Sequence, residues 1–171
     1  MELIFYPSLT LLEKCEPVPD FGKGQRRKDR LDLANMMFNI MRKNNGAGLA
    51  APQVGLNIRM FVCNIGGGRS VNNHAIWNPV LNEIEGCVES TEGCLSIPGV
   101  SVTLTRATSS VLSGTGVNCK PVMFVGDAAM TRIWQHEIDH LDGKLIIDNM
   151  SHDDAVKNRK AMKSLLKNVV V

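Results

Sequence analysis

The chain has 171 residues, 44% hydrophobic and 21% charged, with a formal net charge of +2. This composition fits a globular domain and excludes a disordered chain, and so small a net charge excludes a polyanion binder over the whole surface. No apolar run is long enough to span a bilayer, and the opening MELIFYPSLTLLEKCEPVPD lacks the charged, apolar, small order of a secretory signal, so the expectation is a cytoplasmic protein bound to neither membrane nor DNA.

In chain order, QRRKDRLDLANMMFNIMRKNNG (25–46) places Leu31, Ala34, Met37, Phe38 and Met41 at helical spacing and stops at Asn44-Asn45-Gly46. The middle of the chain reads as short strands: IRMFVCNI (58–65), VSVTLT (100–105) and KPVMFV (120–125). Gly66–Gly68 and Ser113–Gly116 serve as turns. Asp127 is placed to cap a helix over 128–142, closed by Gly143. A last amphipathic helix over 152–167 starts at Asp153 and Asp154, acids suited to a helix N-terminus. The order predicts an α+β fold over residues 1–171 as a single domain, with mostly antiparallel sheets around the helix at 128–142, an N-terminal helix and a C-terminal helix. Cys15, Cys63, Cys87, Cys94 and Cys119 follow no repeating spacing, which fits reduced thiols.

The central helix carries HEIDH. His136 and His140, four apart, share one helix face and can grip one metal ion, while Glu137 is close enough to handle a proton of bound water. Trp134 lies off that face, as core. Catalytic zinc-type sites take three protein ligands and keep one position open, so a third ligand is needed. The peptidase pattern with a third histidine places Ile146 there, and no glutamate follows Glu137. Downstream, Asp142 is too close to the gripping pair, while Asp148, His152, Asp153 and Asp154 fit turns and helix caps better. Upstream, Cys94 lies between Gly93 and Pro98, where the backbone can make an exposed turn, and the small-residue stretch at 45–55 contains a lone amide, Gln53.

GAGLAAPQ (46–53), EGCLS (92–96) and QHEIDH (135–140) are similar, in that order, to the three signature motifs of the peptide deformylases. The resemblance runs almost end to end, through YPSLTLLEKCEPV (6–18), WNPVL (77–81), the segment from SIPGV to Arg106, and LDGKLIID (141–148). It implies Cys94, His136 and His140 as ligands of one divalent metal: Fe2+ in the cell, with Zn2+, Ni2+ and Co2+ also accepted by a mixed S/N/N set. It further implies removal of the formyl group from N-formylmethionyl peptides as formate, with Glu137 as general base and then acid. The Gln53 amide and the Leu95 backbone N–H take the family's oxyanion positions. The backbones of Ala47, Gly48 and Gly93 correspond to its contacts with an extended peptide.

The methionine pocket of such an enzyme is walled here by Ala129, Arg132 and Ile133. Arg132 departs from the family, which usually has an apolar residue at its position; its stem is expected to lie along the pocket with the charge reaching water. SSVLSGTGVNCK (109–120) also diverges and reads as a hairpin. Two basic stretches remain: Lys23, Arg26, Arg27, Lys28 and Arg30, then Lys157, Arg159, Lys160, Lys163 and Lys167. Both read first as solvated helix faces; the C-terminal one is also a candidate ribosome contact.

Overall fold

The computed structural model describes residues 1–19, 25–64 and 73–167, so Lys23, Ile65 and the Gly66–Gly68 turn lie outside the described residues. Helix α1 (Gln25–Lys43) leads into β1 (Gly48–Ala50), a single 3-10 turn (Ala51–Val54) and β2 (Met60–Asn64). Then follow β3 (Asn73–Glu85), β4 (Val88–Cys94), β5 (Ile97–Arg106), β6 (Ser109–Thr115) and β7 (Pro121–Gly126). Helices α2 (Ala128–Leu141) and α3 (His152–Lys167) complete the described chain. The fold is α+β. Among the described residues, five strands form one antiparallel sheet in the order β1-β2-β3-β6-β7, and β4 pairs with β5 in a second.

Strand β2 explains the layering. Met60 and Val62 pack with Ala34, Met37 and Met41 of α1, while Phe61 and Cys63 pack with Ile76, Leu112, Trp134 and Leu141. A strand buried on both faces must be apolar at every position, which is why 60–63 shows no polar alternation. A third cluster joins Ile97, Val100 and Val102 of β5 to Leu145, Ile146 and Leu165. Helix α2 thus lies between the two sheets, touching the first through Trp134 and Leu141.

Helix α3 is fixed to β5 by polar bonds. Asn158 donates from Nδ2 to Ser101 O (2.7 Å) and accepts from Ser101 N–H at Oδ1 (3.1 Å). Asp154 Oδ2 accepts from Thr103 N–H (3.1 Å) and from Ser151 Oγ (3.0 Å).

Two expectations are corrected. Leu31 is exposed, and Arg30 is buried in its place, over the Trp77 ring at 5.0 Å. Ala34, Met37, Phe38 and Met41 are buried as expected and share their stripe with Arg30, while Leu31 lies just beyond its edge. Residues Ser113–Thr115 are strand, not turn; the hairpin turn begins at Gly116, whose N–H donates to Lys120 O at 2.9 Å. Gly114 is needed for close approach within the sheet, since a Cβ there would lie 2.9 Å from the Trp77 carbonyl oxygen.

Candidate metal centre

Helix α2 begins where Asp127 Oδ1 accepts a hydrogen bond from Met130 N–H at 2.9 Å, and ends at Asp142, with Gly143 beyond it at φ +70°. Burial of Trp134 and Leu141 against the five-stranded sheet sets the helix rotation. The opposite face, with His136 and His140, is thereby turned towards β4.

Alternate residues of β4 meet successive turns of α2. Ser90 Oγ accepts from Arg132 Nη1 at 2.8 Å, Glu92 Oε2 lies 3.0 Å from His136 Nδ1, and Cys94 Sγ lies 3.2 Å from His140 Nε2. Two strand residues advance about 6.7 Å and four helix residues about 6.0 Å, so the two elements stay in step over three rungs. Cys94 sits at the last rung. It ends a strand and is buried, which corrects its expected place in an exposed turn: a register shift at Gly93/Cys94 moves the turn to Leu95 and Ser96.

The donor atoms of Cys94, His136 and His140 all lie within 4.8 Å of one another. One thiolate and two imidazoles, gathered in a largely buried cluster beside a cavity, suit a divalent ion with an open coordination position. The downstream candidates are engaged elsewhere or face solvent. Asp142 bonds Arg59 (2.7 Å), Asp148 accepts from Leu145 N–H (2.7 Å), Asp154 is held at the start of α3, and His152 and Asp153 are exposed.

Around the ligands stands a chain of charges that motif reading assigned no role. Arg106 grips Glu92 with two bonds, Nε–Oε1 at 2.7 Å and Nη2–Oε2 at 2.9 Å, and reaches Asp139 Oδ2 with Nη1 at 2.6 Å. Burial alone would raise the Glu92 pKa, but hydrogen bonds from His136 and Arg106 outweigh it and hold the carboxyl at about 2. Glu92 therefore stays ionised and fixes His136 through Nδ1, leaving Nε2 for the cluster. Its position two residues before Cys94, on the same strand face, is the signal that could have found it.

Glu137 is buried, with Oε2 unpartnered among the described residues. Burial pushes its carboxyl up to about 7, opposed by His136 and reinforced by Glu92 and Asp139. Gly48 leaves room for it; a Cβ there would collide with the carboxylate. His140 is pushed well below the ordinary histidine range, first by burial and then by His136 and Arg106, which favours the neutral ring that ligates metals. Gln53, in the turn after β1, accepts from Ala50 N–H at Oε1 (2.8 Å), which aims Nε2 at Ser96 Oγ (3.2 Å) and Cys94 Sγ (3.5 Å).

Glu137, Gly48 and Gln53 border a cavity of about 400 Å3, with His140 behind its wall. Asn45–Gly48 and Gln53 line it from one side, Thr91–Leu95 from β4 and the following turn, and Arg132, Ile133, His136 and Glu137 from α2. Ala47, Gly48, Gly93 and Leu95 are thus brought together with the ligands. Ala129 is not: it is exposed and lies outside the lining.

A Cys-His-His set beside a cavity, with Cys94 and His140 buried and a buried acid next to them, defines a metal-dependent hydrolase. The family model described as polypeptide deformylase matches residues 1–156. The chain belongs to the peptide deformylase family, and its activity is that of a peptide deformylase. A peptide deformylase from Acidothermus cellulolyticus is 39% identical over 151 residues, covering 88% of this chain and 77% of that protein. One from Thermodesulfovibrio yellowstonii is 37% identical, covering 88% and 89%. Among solved structures, the Legionella pneumophila peptide deformylase superposes with a TM-score of 0.85 at 31% identity, covering 97% of this chain and 95% of that one. The Plasmodium falciparum enzyme gives 0.87 at 30%, covering 98% and 96%.

Proposed function

We propose that this chain acts as one catalytic domain on N-formylmethionyl peptides, releasing formate, with Glu137 moving the proton. The observation that carries the reading is the buried Glu137 carboxylate, its Oε2 unpartnered among the described residues, beside three metal-ligating side chains at a cavity wall. Cys94, His136 and His140 would hold the divalent ion, which when bound would supply Lewis acidity and lower the pKa of a water towards about 7. Glu137 accepts a proton from the attacking water as the water oxygen adds to the formyl carbon, then delivers that proton to the amine nitrogen as the C–N bond breaks. Formate and a free amine result.

Gln53 Nε2 and the Leu95 N–H donate to the formyl oxygen as negative charge gathers on it. Supporting the Gln53 role is the bond from Ala50 N–H, which fixes the amide orientation. The main chains of Ala47, Gly48 and Gly93 hold the peptide extended, and Ile133 and Arg132 wall its side chain. The S/N/N donor set accepts Fe2+, Zn2+, Ni2+ or Co2+, and family resemblance favours Fe2+ in the cell.

The reading places the enzyme in the cytoplasm, on nascent chains. Lys157, Arg159, Lys160, Lys163 and Lys167 are exposed along α3 and form the contact proposed with ribosomal RNA, binding that should weaken steeply with salt. No described helix is long and apolar enough to cross a membrane.

The test is formate release from formyl-Met-Ala-Ser by anaerobically purified, metal-assayed protein, beside Glu137→Ala. Formate from wild type alone, with equal metal in both, supports the reading. No formate from wild type holding one metal per chain overturns it.

A further inference from the structure

Two of the three rungs joining β4 to α2 belong to the metal centre. The third, Ser90 with Arg132, does not. Arg132 Nη1 donates to Ser90 Oγ, and among the described residues no carboxylate lies within ion-pairing distance of the guanidinium. The side chain is half-buried and borders the cavity with Ile133 and Thr91. Glu92, the acid one rung away, is already bound by Arg106 and His136.

A guanidinium offers five N–H donors in a rigid planar fork, and Ser90 takes one. A single neutral acceptor offsets little of the cost of partly desolvating a cation. The cavity wall therefore holds a positive charge with a donor edge still open. By holding Nη1, Ser90 limits rotation of the fork and leaves the Nε–Nη2 edge, whose geometry matches the two oxygens of a carboxylate.

We propose that Arg132 makes this site select formyl peptides bearing a carboxylate side chain on their first or second residue. The proposal rests on the formyl-peptide reading given above. Arg132 stands one helical turn, about 6 Å of axial rise, from His136. Consecutive Cα atoms of an extended peptide are about 3.8 Å apart and their side chains point to opposite faces. One of the first two residues, not both, therefore presents its side chain to the fork, and the paired peptides below distinguish which. An apolar side chain in the same place leaves those donors facing hydrocarbon, which disfavours it. Ser90 is a positioning residue in this arrangement.

Steady-state formate release from two matched pairs tests the idea: formyl-Met-Glu-Ser against formyl-Met-Gln-Ser, and formyl-Glu-Ala-Ser against formyl-Gln-Ala-Ser. The first pair reads the second residue, the other pair the first. Wild type is expected to favour the acidic member of at least one pair by about tenfold in kcat/KM, mainly through KM, and less so as salt is added. Arg132→Leu should bring that ratio to one or below, Arg132→Lys should keep part of it, and Ser90→Ala should narrow it. Arg132→Gln stands in for the leucine variant if circular dichroism shows that one misfolded.

Equal wild-type turnover within both pairs, or a ratio untouched by the Arg132 substitutions, overturns the proposal. Absence of formate from all four peptides counts against the deformylase reading instead. Charge preference is then read by calorimetry on the unformylated peptides, where tighter binding of the acidic member supports the proposal and equal binding overturns it.

Discussion

Glu92 Oε2 lies 3.0 Å from His136 Nδ1, and the same oxygen accepts from Arg106 Nη2 at 2.9 Å. One carboxylate thus orients a metal-ligating ring while its charge is balanced by a guanidinium from the neighbouring strand. Glu92→Gln keeps the shape and removes the charge. Metal affinity is expected to fall by about 10- to 100-fold, the usual result of losing such a partner. Competition with a chromophoric chelator measures it, and wild-type affinity in the variant would show that His136 is held by something else.

Gly48→Ala addresses the space beside Glu137. The added methyl group would meet the carboxylate side chain, with Cδ and Cγ at 2.8 and 2.9 Å from an ideal Cβ. Formate release is expected to drop by about tenfold or more through displacement of the proton-handling group, a misplacement of roughly an ångström being enough for such losses. Metal content should remain that of wild type. Full turnover would mean that the Glu137 position is not critical.

Asn158 supplies a donor and an acceptor to the two backbone groups of Ser101, and its Nδ2 also donates to Asp154 O at 2.8 Å. Asn158→Ala leaves Ser101 groups without these partners. A loss of about 1–3 kcal/mol in stability is expected, read as a lower denaturant midpoint at unchanged slope. A midpoint equal to wild type would show that water replaces the amide at no cost.

His74 on β3 packs edge-on against Phe124, ring centroids 4.5 Å apart. Burial lowers its pKa below 6.5. Below that ordinary value the unfolded chain binds a proton that the folded ring resists, so this contribution is present above pH 6.5 and is lost as the pH falls through the lowered folded value. The melting temperature should therefore decline less between pH 7 and pH 5 in His74→Gln than in wild type. Parallel declines would show that other groups set the acid side of the profile.

What the sequence discloses depends on how regular each element is. Helix α2 was legible because Asp127, the HEIDH spacing and Gly143 all mark the same helix. Strand β3 is touched only by the family resemblance at WNPVL and not by residue patterning, because its alternation is broken by Pro79, by Asn78 and Glu83 at φ +48°, and by two register shifts against β6. On α1 the spacing identifies Ala34, Met37, Phe38 and Met41 correctly and fails only at the edge of the stripe, where the Trp77 ring takes Arg30 and leaves Leu31 exposed. Ala129 shares a helix face with Arg132 and His136, yet the cavity stops at the Arg132 rung, where Ser90 bridges from β4. The ligands were found by motif; the Glu92–Arg106–Asp139 chain needed the pairing of two strands with one helix.

Strand β4 pairs with β5 along one edge only, and its other edge has no strand partner among the described residues. Proteins commonly cover such an edge, because it invites another chain to add itself. Here Thr91 and Gly93 of that strand border a cavity lined also by Asn45–Gly48 and α2. On the function proposed, a segment whose backbone already belongs to a helix or sheet has nothing to offer that edge. The enzyme would then act within a window of time: each new chain end must be processed before folding claims its main-chain hydrogen bonds.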